Sequence, residues 1–115
     1  MNDRTPLKVT TSDHDGARVL HPQGEIGYQE APEFRTFVRA AFDAKPRAVV
    51  VDLGGVAYMG TPGVATLVEG LQISKRVGIP LVVAAMNDRV RAIFEIARLH
   101  TVFKIAASVD EAVKP

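Results

Sequence analysis

The chain has 115 residues, enough for one domain with one core, and is 47% hydrophobic and 23% charged. A net charge of +1 gives no footprint for nucleic acid or an anionic membrane, and the lack of cysteine excludes disulfides and thiol chemistry. Met1–Pro6 lacks a signal-peptide core, and no apolar run reaches the roughly 18 residues of a membrane span. A single cytoplasmic domain over residues 1–115 is therefore expected.

In chain order, Leu7 to Ser12 alternates weakly and reads as a short strand. A turn at Asp13-His14-Asp15-Gly16 follows, with Asp-Gly as the hairpin signal. Ala17 to Gln23 returns as a second strand broken by Gly24, and Gln23 to Tyr28 reads as a loop with two hinge glycines. Phe34, Phe37, Val38 and Ala41 fall at helical spacing, predicting a helix from about Gln29 to Phe42 that ends at Lys45-Pro46. Ala48 to Leu53 is a continuous apolar run closed by Asp52, the pattern of a strand buried on both faces.

A second helix starts near Pro62, with Val64, Leu67, Val68 and Leu71 as its apolar face. Lys75 and Arg76 suit its last turn, and Gly78 is its stop. Ile79 to Ala85 predicts another buried strand. A third helix runs over about Asp88 to Leu99, capped by Asn87 or Asp88, with Val90, Ile93, Phe94 and Ala97 inward. A short strand over Phe103 to Ala106 and a small helix capped by Ser108 complete the chain. This order implies an α/β fold: a mixed, mainly parallel sheet of four to five strands with about four helices.

The three histidines, His14, His21 and His100, lie far apart in sequence, and without cysteine a structural zinc site is not expected. There is no G-x-S-x-G elbow, no P-loop lysine and no G-x-G-x-x-G run. Asp52, ending a buried strand, reads as a structural hydrogen-bond acceptor. The chain is not expected to be an enzyme, and no cofactor is implied.

The informative segment runs from Val49 to Val64: an apolar strand, a glycine-bearing turn, then Gly60-Thr61-Pro62-Gly63 stepping into a helix. A helix start leaves backbone N–H groups unpaired, and Thr61 sets a hydroxyl beside them. Two readings stand together. In one, Thr61 serves as N-cap with Pro62 at the first helical position, which contributes about 1 kcal/mol. In the other, its exposed hydroxyl is a phosphorylation site.

Gly24-Glu25-Ile26, Val50-Val51-Asp52-Leu53, Tyr58-Met59-Gly60-Thr61-Pro62-Gly63-Val64 and the late helix from Arg89 to Leu99 resemble a STAS domain of the bacterial anti-sigma factor antagonist type. The resemblance covers nearly the whole chain. It implies the STAS fold and docking on an anti-sigma factor with serine/threonine kinase activity, or on another regulatory protein. In such domains the second hydroxyl of a D-[ST]-[ST]-G motif is phosphorylated. Here the motif's acid is Gly60, its first hydroxyl is Thr61, and Pro62 stands at the acceptor. The acid of the family's G-x-[LI]-D loop is Gly27.

Phosphoregulation is thus expected to be lost or moved to Thr61, and loss is favoured. The implied partner-facing residues are Glu25, Gly27, Tyr28, Met59, Gly60, Thr61, Pro62 and Gly63, with Met59, Thr61, Pro62 and Tyr28 exposed. Self-association stays open. The alternative function is a scaffold or accessory subunit of a stress-signalling or lipid-transport complex.

Overall fold

The computed structural model describes residues 7–114. β1 (Lys8–His14) and β2 (Ala17–Ile26) form a hairpin through Asp15 and Gly16, whose φ values of 51° and 89° are those of a two-residue Asp-Gly turn. The expected turn residues Asp13 and His14 belong to β1. α1 (Ala31–Asp43), β3 (Ala48–Asp52), β4 (Val56–Met59) and α2 (Thr61–Val77) follow. β5 (Leu81–Ala84), α3 (Asp88–Ile96), a 3-10 turn at Leu99–Thr101, β6 (Lys104–Ala106) and α4 (Val109–Ala112) complete the order.

The sheet order is β1-β2-β3-β5-β6, with β1 antiparallel to β2 and the other pairs parallel. β4 brings the strand count to six and pairs with the far end of β2. β2 therefore changes partner along its length. Ala17 to Leu20 pair with β3, then the register shifts at Gly24/Glu25, and Gly24 to Ile26 pair with β4. The strand does not break at Gly24. It bulges there, with Gly24 at φ 111°, and the expected loop is strand as far as Ile26.

The main core fills one face of the sheet. Phe34, Val38 and Phe42 of α1, Leu67 and Ile73 of α2, and Val90 and Phe94 of α3 pack there against Leu20, Val49, Val51, Leu81 and Val83. Phe94 meets Phe103 edge-on at 5.4 Å. The opposite face carries a small cluster of Val19, Val50, Ala84 and Ala112 beneath α4.

Helix ends follow local chemistry. Asn87 caps α3 by accepting from Val90 N–H at 2.8 Å, Ser108 caps α4, and Gly78 at φ 76° closes α2. α3 ends at Ile96, short of Leu99, and Ala97 is exposed; Arg98 at φ 59° turns the chain out of the helix.

The buried stripe of α2 is shifted from the expected one. Gly63, Thr66, Leu67, Gly70, Ile73 and Ser74 are buried, while Val64, Val68 and Leu71 are only half-buried. Small residues let this helix lie close to its neighbours. A Cβ on Gly70 would stand 3.2 Å from Val38 and 3.4 Å from Leu81.

Candidate functional site

The step from β4 into α2 is held by β2. Gly60 N–H donates to Ile26 O at 2.9 Å, continuing the β2–β4 pairing to the first residue before the helix. Gly63 seals the junction: a Cβ there would stand 2.7 Å from Met59 Cγ, 2.9 Å from Ile26 Cγ2 and 3.0 Å from Ile26 O. Only glycine fits without displacing backbone, and this close approach fixes where the helix begins.

The cap differs from the sequence expectation. Gly60, not Thr61, is the N-cap residue of α2; Thr61 is the first helical residue and Pro62 the second. No side chain caps the helix, and the exposed Thr61 hydroxyl makes no hydrogen bond. The expected cluster of free N–H groups is also reduced. Gly63 and Val64 both donate to Gly60 O, at 3.0 and 3.1 Å, and Pro62 has no N–H. Thr61 therefore offers the free backbone donor of this turn.

The two missing acids concern one spot. A Cβ on Gly60 would lie 3.8 Å from Gly27 Cα and 3.6 Å from Pro62 Cδ, ordinary contact distances. Neither Gly27 nor Gly60 has a positive φ. The backbone therefore accepts a side chain at Gly60, and the lack of an acid there is not imposed by the fold.

Of the expected partner-facing residues, Glu25, Tyr28 and Thr61 are exposed, and Gly27, Gly60 and Pro62 half-buried. Met59, at 1% exposure, and Gly63 are buried. The expectation of an exposed Met59 is thus corrected: it packs in the core against Ile26, and both ends of β4, Val56 and Met59, are buried while the two residues between them are exposed. Tyr28 is 85% exposed, as the sequence reading expected.

Beside this step lies a feature that single-residue reasoning missed. A cleft of about 630 Å³ between α1 and α2 is lined by Tyr28, Pro62, Ala65, Arg35, Arg39 and Glu69, among others. Glu69 Oε1 accepts from Arg35 Nε at 3.0 Å and Arg39 Nη2 at 2.8 Å. The hydrogen bond from Arg35, then that from Arg39, hold the Glu69 carboxyl below its ordinary range against the opposing effect of burial. The i, i+4 spacing of Arg35 and Arg39 on α1 was the available signal, though their shared carboxylate is 30 or more positions away.

Arg89, Arg91 and Arg98 are exposed in and after α3. His14 and His21, separate in sequence, meet across the hairpin at Ser12. Asp52 accepts from Gly54 N–H at 2.9 Å, which fits the structural role expected of it. Among the described residues, no three His, Cys, Asp or Glu gather as a metal set, and no helix is long and apolar enough to cross a membrane.

The STAS domain model matches residues 8–112, from the first residue of β1 to the last of α4. The chain belongs to the STAS domain family. STAS relatives agree over almost the whole fold. The anti-sigma-F factor antagonist RsfA of Mycobacterium tuberculosis is 27% identical over 108 residues, covering 92% of this chain and 84% of RsfA. BtrV of Bordetella bronchiseptica is also 27% identical, covering 92% of this chain and 91% of its own. The crystal structure of an anti-sigma factor antagonist from Mycobacterium paratuberculosis superposes with a TM-score of 0.87 at 26% identity, over 96% of this chain and 95% of that one. The STAS fold expected from the sequence is therefore present, with one strand more than the four to five predicted.

Proposed function

We propose that this STAS domain is an anti-sigma factor antagonist whose docking is not switched off by phosphorylation at the usual position. The observation that carries this reading is local. The β4–α2 step keeps its glycine-sealed geometry, while Pro62 occupies the acceptor position and Gly60 and Gly27 replace both acids. The similarity to RsfA and to the M. paratuberculosis antagonist supports an anti-sigma factor as the partner class. In this proposal that factor carries serine/threonine kinase activity and the two meet in the cytoplasm.

Docking uses the solvent-accessible residues of the step, the exposed Glu25, Tyr28 and Thr61 and the half-buried Gly27, Gly60 and Pro62, with the adjoining α1–α2 cleft. Arg35 and Arg39 share one carboxylate there, so the rim favours an acidic side chain from the partner. Acids at Gly27 and Gly60 would favour a basic one. Tyr28, fully presented and aromatic, is the anchor of this surface.

The test mixes the protein with anti-sigma factors from the same genome, with and without Mg-ATP. A complex that persists in ATP, with no phosphate on the peptide containing Tyr58 to Lys75, is the expected result. Tyr28→Ala is expected to weaken it about tenfold or more. Pro62→Ser, with Gly60→Asp, is expected to gain phosphate and release the partner. Phosphate on wild-type Thr61 accompanied by release would move the switch to that residue and overturn the constitutive reading. Failure to bind any such factor would overturn the docking itself.

A further inference from the structure

The face of the sheet opposite α1, α2 and α3 is only partly covered by α4. On its β1–β2 side it presents Ser12, His14, His21 and Asp52. β1 and β2 are in register with Ser12 opposite Val19 and His14 opposite Ala17, and Leu20 pairs with Val51 one place before His21 and Asp52. Three strands thus bring four polar side chains to one spot.

Their hydrogen bonds form an ordered chain. Ser12 Oγ lies 2.8 Å from His21 Nε2 and 3.1 Å from His14 Nε2. His21 Nδ1 lies 2.8 Å from Asp52 Oδ2, and Asp52 Oδ1 is held by Gly54 N–H at 2.9 Å. For neutral imidazoles, the bond order assigns the tautomers. His21 donates its Nδ1 proton to the carboxylate, which leaves a lone pair on Nε2. Ser12 O–H donates to that lone pair, and His14 Nε2–H then donates to Ser12 Oγ. A hydroxyl faces an imidazole base, and a carboxylate itself fixed by backbone orients that base. The Asx turn at Gly54 accounts for Oδ1 of Asp52 alone; the rest of the chain has no role in folding that turn.

We infer that Ser12 is an activated nucleophile and a covalent acceptor site for small activated acyl groups, with His21 as general base and Asp52 as the residue that positions it. In the step, Ser12 Oγ attacks the acyl carbon and passes its proton to His21 Nε2. The Oγ–C bond forms as the bond to the leaving group breaks, and the leaving group departs with the electron pair. His21 and Asp52 side chains keep 27% and 23% exposure, so the spot is open to a small reagent.

Ser12 sits within an extended strand, not on a strand-to-helix turn with converging N–H donors. The acyl-serine is therefore expected to accumulate once per chain with little turnover. The site lies on the face of the sheet opposite α2, whose Thr61 hydroxyl makes no hydrogen bond. The inference stands or falls independently of the docking proposal.

The probe is p-nitrophenyl acetate with the full chain, followed by intact mass and peptide mapping. One acetyl group on Ser12, absent in Ser12→Ala, is expected. The rate at Ser12 is expected to fall about 10²-fold in His21→Gln, the scale of a general base. Asp52→Asn, which retains an oxygen for Gly54 N–H, is expected to slow it by at least about tenfold, since it removes the charge that orients His21. Wild type unfolded in urea controls for variants that do not fold: its selectivity for Ser12 should vanish. Acetyl only on lysines or the N-terminus, equal rates in wild type and folded His21→Gln, or unchanged Ser12 selectivity in urea would each overturn the inference.

Discussion

One face of the sheet lies under three helices and holds Phe34, Phe94, Leu67 and the apolar side chains of four strands. The other carries only α4 over Val19, Val50, Ala84 and Ala112, and is finished with a polar network. The first face is stabilised by apolar area removed from water. The second relies on satisfied polar groups, and no buried side-chain N or O among the described residues lacks a partner. The difference teaches where each job can reside. Stability is concentrated under α1, α2 and α3, while the thin face and the helix start can change chemistry at small cost to folding.

Three substitutions test this division. Phe34→Ala, on the thick face at 0% exposure, is expected to cost about 3–5 kcal/mol in denaturant unfolding. A loss under about 1 kcal/mol would show that the two faces are energetically alike. Ser108→Ala removes the cap of α4, the helix on the thin face, and is expected to cost about 1 kcal/mol in the same measurement. Thr61→Ala is expected to change stability by less than about 0.5 kcal/mol, because its hydroxyl bonds to nothing. A loss near 1 kcal/mol would restore it as a helix cap.

Much of the thick face was legible in the sequence, because local pattern and burial coincide there. Ala48 to Leu53 reads as a fully buried strand, and Phe34, Val38 and Ala41 mark the inner face of α1. Gly78, Asn87 and Ser108 mark ends by chemistry confined to a few residues. What stayed hidden depends on partners distant in sequence. β4 is four residues long, with only its ends buried, and exists because β2 runs on past Gly24 to pair with it.

The site was legible as a position but not as a surface. Met59 and Thr61 are two residues apart, yet one is buried and the other exposed, since the chain changes from strand to helix between them. The inner stripe of α2 follows small residues, so a template of large apolar ones lands one position off. The meeting of Ser12, His14, His21 and Asp52 needs a hairpin register and a parallel pairing at once. Neither is specified within a single strand.

The room beside Gly60 bears on how such a protein changes over generations. A Cβ there meets nothing closer than 3.6 Å beyond its chain neighbours, and the helix start already runs without a side-chain cap. Descendants could acquire an acid at Gly60, or a hydroxyl at Pro62, without first rebuilding the junction that Gly63 seals. A regulated lineage and an unregulated one are neighbours in sequence space, and at Gly60 the backbone already leaves room for the first step between them.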